Sequence, residues 1–237
     1  MTEPEDNVAY YDAFSLRYED RRGSGYHRFL DDEQAGLVRR HLRPGDRVLE
    51  VGCGTGLIMQ RLPGADLRGV DLSPGMLERA RARGLRVQEA SALDLPFALG
   101  TFDLVYSFKV LAHVEEISQA VRECHRVLKP GGLAILDFYN PWSLRGLRKR
   151  FSRGRISDSL REDQVLTRFD GLRRARGLLV DAGFRYVGHR GIIIVTPAAL
   201  LHQVPFLGSP LRFAERLSSA TPLGRLGGFL SVLGRKS

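Results

Sequence analysis

The chain of 237 residues is 43% apolar and 27% charged, which is ordinary for a globular core and excludes disorder throughout. No apolar run approaches the roughly 18 residues of a membrane-spanning helix. The formal charge of +9 is unevenly spread, with 18 basic and 21 acidic residues up to Asn140 but 18 and 6 from Pro141 onward. That arginine-dominated block could attract nucleic acid, an anionic membrane surface or an acidic substrate, but is read first as a solvated surface. Glu3, Glu5 and Asp6 stand where a secretory leader would be basic. Two cysteines, Cys53 and Cys124, are too few for a disulfide framework or a Cys-rich zinc site. A cytoplasmic chain without a metal centre is expected.

From residue 47 to 139 short apolar runs alternate with helical patterns, the mark of a parallel sheet with crossover helices. Strands are expected at Arg47 to Val51, Leu67 to Asp71, Leu85 to Gln88, Phe102 to Ser107 and Leu133 to Tyr139. Ser73, ahead of Pro74, is placed to cap a helix that runs to Arg83. Ile117, Ala120, Val121, Cys124, Val127 and Leu128 recur at helical spacing, and Pro130, Gly131 and Gly132 stop that helix. Leu172, Ala175, Leu179 and Ala182 mark a further helix ended by Gly183. Two last strands are expected at Arg185 to Val195 and Phe229 to Gly234, with short helices between them lying over the sheet.

The sharpest local signal is Val48-Leu49-Glu50-Val51-Gly52-Cys53-Gly54-Thr55-Gly56, an apolar strand entering a loop with glycine at every second position. Such a loop at the carboxyl end of the first strand is where doubly wound sheets bind ligands, and glycine lets backbone approach them closely. It departs from the dinucleotide fingerprint, because Leu57 stands where that pattern needs Gly or Ala. Asp71 ends the next strand, 19 positions after Gly52, where a carboxylate can accept from both ribose hydroxyls. Together they specify a nucleoside pocket.

At these residues the chain resembles the class I methyltransferases that use S-adenosylmethionine, in particular the bacterial small-molecule and quinone-type branch. VLEVGCGTG carries the resemblance together with GVDLSPGML from Gly69, ALDLPF from Ala92, FDLVYSFKVLAHV from Phe102 and RVLKPGG from Arg126. It implies an α/β, Rossmann-like, seven-stranded and mostly parallel sheet, with an antiparallel last strand, helices on both faces and a helical cap between strands six and seven. It implies one domain, made of lid helices over 1–40, a cofactor-binding core over 41–140, and an acceptor-side cap with the last two strands over 141–237. By the same resemblance Glu50, Gly52, Cys53, Gly54 and Gly56 would surround the methionine end of the cofactor. Asp71 and Leu72 would meet the ribose, Met76 the adenine edge, Ala92 and Leu93 the adenine faces, and Ser107 and Phe108 the sulfonium. Ser91 stands where relatives often carry an aspartate toward the adenine amino group, and is a weaker acceptor. Tyr11 and Tyr18 lie on a segment, with Tyr10, that in relatives folds over the cofactor.

A methyl acceptor that must lose a proton needs a base, and His113, just past the fourth strand, is the candidate; its alternative role is to shape the pocket. His189 and His202 are further candidates in the second half. Asn140-Pro141-Trp142 superficially matches the turn with which DNA amino-methyltransferases hold an extruded base, but it follows strand five rather than strand four and is read as a structural turn. Leu144, Leu147 and Phe151 recur at helical spacing among Arg145, Arg148, Lys149, Arg150, Arg153 and Arg155, which suits peripheral contact with an anionic membrane or a cover over a lipophilic acceptor. Residues 196–228, rich in Leu, Phe and Pro, would roof an apolar acceptor pocket. The expected reaction is methyl transfer to a small apolar or aromatic acceptor, with oxygen favoured. C-methylation of a quinone or lipid at a membrane surface is the alternative, followed by RNA methylation and a non-catalytic cofactor-binding module.

Overall fold

The computed structural model describes residues 11–12, 15, 17–20, 25–144, 146–147, 166–194, 208–219 and 221–237. Tyr10, His202, most of the basic 145–155 segment and part of the 196–228 segment lie outside them. Seven strands form one sheet: β1 (Arg47–Val51), β2 (Asp66–Asp71), β3 (Val87–Glu89), β4 (Phe102–Ser107), β5 (Leu128–Tyr139), β6 (Phe184–Ile192) and β7 (Phe229–Lys236), in the order β3-β2-β1-β4-β5-β7-β6. The first five are parallel, whereas β7 runs antiparallel to both β5 and β6. This is the topology that the resemblance implies.

Strand parity divides the core. Leu49, Val51 and Val105 face one side, where α3 (Ile117–Val127) and α4 (Leu172–Asp181) bury Ala120, Val121, Cys124, Ala175 and Leu179. Val48, Leu104, Tyr106 and Ile135 face the other side, against Ala35, Leu37 and Val38 of α1 (Gly25–Arg39). Leu67, which pairs with Val48, packs on that second side with Leu77 of α2 (Pro74–Ala82). Ser73 caps α2 as expected, its Oγ accepting from the Met76 amide at 3.2 Å. The sheet thus carries helices on both faces, and its central strands β1, β4 and β5 are mostly buried on both, whereas the edge strand β3 exposes Gln88 and Glu89.

The strand ends differ from expectation where backbone pairing outweighs side-chain pattern. β3 starts at Val87, because Gly69 pairs with Val87 and Leu85 instead fills space beside Gly56. β5 starts at Leu128, which pairs with Phe102 across an irregular register, so Pro130, Gly131 and Gly132 lie within the strand. β6 ends at Ile192, and Ile193 takes a positive φ of 61°.

Between β6 and β7 lie α5 (Gly208–Ser219) and a 3-10 turn (Pro222–Leu226). Glu215 accepts from the Ile194 amide at 2.6 Å and Arg216 pairs with Glu33 of α1 at 2.7 Å, which holds α5 along the β6 edge. Asn140 closes the other end of this region. Its Nδ2 donates to the carbonyls of Arg225 and Gly227 at 2.8 and 2.9 Å, and its Oδ1 accepts from the Trp142 amide at 3.1 Å. Asn140 is therefore part of a structural turn.

A Cβ at Gly191 would lie 1.9 Å from the Gly224 carbonyl oxygen, a backbone atom that cannot step aside. Gly191→Ala should therefore lower unfolding free energy by about 1 to 3 kcal/mol. Urea denaturation at unchanged slope would show it.

Candidate active site

The glycine loop after β1 is folded by conformation first. Gly52, Gly54 and Gly56 all have positive φ, at 75°, 51° and 79°, where any other residue is strained. A Cβ at Gly52 would lie 2.1 Å from Cγ2 of Val110, so the loop closes directly onto the chain leaving β4. Asp71 locks it in place. One carboxylate oxygen accepts from the Gly54 amide at 2.8 Å and the other from the Ser73 amide at 3.0 Å. Burial pushes the Asp71 carboxyl up, and the Ser73 and Gly54 amides oppose that rise. Each oxygen retains acceptor capacity for a further partner.

These elements border a cavity of about 340 Å³ at the carboxyl ends of β1, β2 and β4. Of the residues singled out from the sequence, Tyr11, Tyr18, Gly52, Gly54, Asp71, Leu72, Met76, Ser91, Ala92, Leu93, Phe108 and His113 line it. Glu50, Cys53, Gly56 and Ser107 stand behind the wall. Cys53 packs with Met59 and Leu77, Gly56 gives room to Leu85, and the buried Ser107 hydroxyl donates to the Val51 carbonyl at 2.8 Å. Glu50 is buried and accepts from the Tyr106 hydroxyl at 3.0 Å. Ser91 accepts from the Leu93 amide at 3.1 Å, which shapes the turn beneath the cavity. His189 bonds Tyr186 at 2.8 Å on β6, away from the cavity.

The opposite wall includes residues that sequence reasoning missed: Lys109, Val110, Val114, Glu115, Glu116 and Leu166. Leu166 begins a stretch held beside the turn at Leu111–His113 by the Arg168 amide, which donates to the Ala112 carbonyl at 2.8 Å. Its carbonyl lies 2.7 Å from His113 Nδ1. A carbonyl only accepts, so Nδ1 carries the proton and the lone pair of a neutral imidazole sits on Nε2. The ring stands edge-on between Tyr11 and Tyr139, with centroids 5.9 and 5.8 Å away. The described part of the expected roof, 208–219 and 221–228, contributes nothing to this lining, because its anchors tie it to the β6 edge.

Below the cavity lies a group of buried acids. Lys109, at a positive φ of 64°, places Nζ 3.2 Å from the buried Asp31. Asp137 accepts from Gln34 Nε2 at 2.7 Å and from the Ser231 hydroxyl. Burial pushes Asp137 up to about 6 and Glu50 up to about 8, with Lys109 pulling both down.

Residues 49–136 match the family model described as a methyltransferase domain. The chain is 39% identical over 121 residues to a demethylmenaquinone methyltransferase of Symbiobacterium thermophilum, covering 45% of this chain and 48% of that one. It is 32% identical over 165 residues to the 27-O-demethylrifamycin SV methyltransferase of Amycolatopsis mediterranei, covering 58% and 61%. The chain thus spans about half to three fifths of the length of these curated relatives. A crystal structure from Thermotoga maritima, described as an S-adenosylmethionine-dependent methyltransferase and possible histamine N-methyltransferase, superposes with a TM-score of 0.70. It covers 97% of this chain and 99% of its own at 23% identity, which is a likeness of fold.

A carboxyl whose folded pKa lies above its unfolded value stabilises the fold below the unfolded pKa, and that contribution is lost as pH rises through the folded one. For Glu50 the window runs from 4.5 to about 8. Glu50→Gln keeps an acceptor for Tyr106 but carries no charge, so it should overtake the parent in stability across that window, by roughly 1 to 4 kcal/mol at its upper end. Thermal unfolding of both proteins from about pH 5 to pH 9 would show the curves diverging upward.

Proposed function

We propose, from the match of residues 49–136 to a methyltransferase domain, that this chain is a class I methyltransferase that transfers a methyl group from S-adenosylmethionine to a small apolar or aromatic acceptor, with oxygen as the favoured atom. The observation that carries this reading is one cavity bordered by Gly52, Gly54 and Asp71 on one side and by Phe108, His113 and Leu166 on the other. The residues present fit the donor. Asp71 has oxygens left to accept from the ribose hydroxyls, and Leu72, Met76, Ala92 and Leu93 offer apolar surface for the adenine. Tyr11 and Tyr18 would close over the methionine end.

S-adenosylmethionine supplies a methyl carbon on a sulfonium, open to in-line displacement. The chain's own part is to position the acceptor and exclude water, and such positioning can account for about 7 to 11 kcal/mol of a barrier. Val110, Val114, Phe108 and Leu166 give that side of the cavity an apolar surface beside the charged Lys109, Glu115 and Glu116. His113, held by Leu166 through Nδ1, presents Nε2 as the base that takes the proton of an acceptor hydroxyl. The reading puts the enzyme in the cytoplasm, with residues 41–140 serving the donor and, through Phe108, Val110, His113 and Val114, much of the acceptor side, to which 141–237 adds Leu166.

A second reading, C-methylation of a quinone or lipid at a membrane surface, draws support from the relative named for demethylmenaquinone. RNA methylation has less, because the cavity walls are mainly apolar and no nucleic-acid module accompanies the core among the described residues.

Calorimetric titration with S-adenosylmethionine tests the donor half: Asp71→Ala should weaken binding by about 1 to 3 kcal/mol. An unchanged affinity would overturn the nucleoside assignment. His113→Ala should lower turnover by roughly a hundredfold at unchanged cofactor affinity, read with labelled methyl donor on lipid, small-molecule and RNA fractions. A loss below about tenfold would assign His113 to packing alone.

A further inference from the structure

Helix α5 has an inward side set by Glu215, whose carboxylate accepts from the Ile194 amide. On the opposite side, Phe213 and Leu217 are four residues apart and so share one face, 70% and 62% exposed. The 3-10 turn that packs beside α5 adds Leu223 and Leu226, 52% and 46% exposed. Single exposed apolar residues need no explanation, but four large ones on adjoining elements mark an interaction surface.

Beside this face lies a cleft lined by Arg39, Arg40, Arg190 and Arg216 with Asp32 and Glu33. Its acids are already engaged, Glu33 by Arg216 at 2.7 Å and Asp32 by Arg61 at 3.1 Å. Arg40 and Arg190 have no carboxylate partner among the described residues. Burial and the neighbouring charges of Arg190 and Arg39 lower the Arg40 pKa while Glu33 opposes the fall, so cations outnumber acids in the cleft. A planar guanidinium takes a phosphate in a two-pronged bond, so phosphate oxygens suit the cleft.

We infer that the outer face of α5 and its 3-10 turn, with the arginine cleft alongside, docks on an anionic lipid bilayer. Phe213, Leu217, Leu223 and Leu226 enter the boundary of the acyl region while Arg40 and Arg190 meet lipid phosphates. A nucleic acid would satisfy the arginines but leave the three exposed leucines in water. A chain of side-chain contacts leads from beneath α5 toward the cavity. Arg216 lies 5.9 Å over the ring of Phe29, which shares an apolar cluster with Phe229, and Tyr139 bridges Phe229 to His113 at 5.3 and 5.8 Å. The inference goes beyond the methyl-transfer reading and does not depend on turnover.

Flotation of the full chain with vesicles tests it. Vesicles of equal phosphatidylcholine and phosphatidylglycerol should carry the protein at about 0.1 M salt, and pure phosphatidylcholine, or about 0.5 M salt, should reduce that roughly tenfold or more. The double variants Phe213→Ser with Leu217→Ser, and Arg40→Gln with Arg190→Gln, should each lower partitioning roughly tenfold. Both should keep the parent's melting temperature and affinity for S-adenosylmethionine. Absence of flotation, or flotation that neither double variant weakens, would overturn the inference. So would a gel-shifted transfer-RNA complex that the arginine variant loses and the Phe213/Leu217 variant keeps, in a protein that does not float. A failed methyl-transfer reading would instead appear as lost cofactor binding with flotation intact.

Discussion

The arrangement around the cavity depends on the demand of one half-buried carboxylate for hydrogen bonds. Asp71 ends β2 at the cavity wall, where partial burial raises its pKa and a carboxylate without hydrogen bonds would be costly. It meets that demand with two backbone amides, one from the glycine loop after β1 and one from the first turn of α2. The loop is therefore held in shape by the protein's own bonds. The same chain of bonds continues outward, since the Ser73 hydroxyl donates to Asp12, whose carboxylate also accepts from the Gly75 amide. Glu19 then pairs with Arg83 just past α2. The N-terminal segment that carries Tyr11 and Tyr18 over the cavity is thus attached through polar bonds that begin at Asp71.

Beneath the cavity a second constraint operates. Lys109 brings one positive charge toward Asp31, Glu50 and Asp137, acids contributed by α1, β1 and β5. Its backbone sits in a conformation that non-glycine residues rarely adopt, which the surrounding contacts must maintain. Gln34 bonds Asp137 through its amide nitrogen while its Oε1 has no partner among the described residues. Such a group adds little net stability, since desolvation of each charge offsets the attraction between them. Its effect is to make the α1 side of the sheet sensitive to the ionisation of residues that no ligand need touch.

Much of this was legible in sequence because it is periodic or punctuated. β1 and β4 are recovered residue for residue, since apolar runs bounded by turn signals have one reading. Ser73 and the three loop glycines were legible because their chemistry is local. What escaped was non-local. Glu50 and Ser107 sit within the right motifs, yet strand parity and the bonds to Tyr106 and Val51 turn them into the wall rather than the cavity. Leu166 orients His113 through a carbonyl oxygen, a group that every residue possesses, so its identity signals nothing. α5 lies where short helices were expected, but its placement at the β6 edge follows from Glu215 and Arg216 finding partners far away in sequence.

The position of β7 between β5 and β6 has a consequence for how the chain is made. During synthesis β6 emerges before β7, but its hydrogen-bonding neighbour in the sheet is β7 alone. Until residues 229–236 are available, β5 ends the sheet as an open edge and β6 has no strand to join. A nascent chain can therefore assemble β1 to β5 first, with two unpaired edges exposed to pairing with other chains. Chaperone dependence during translation would be concentrated in the interval when β6 is outside the ribosome and β7 is not.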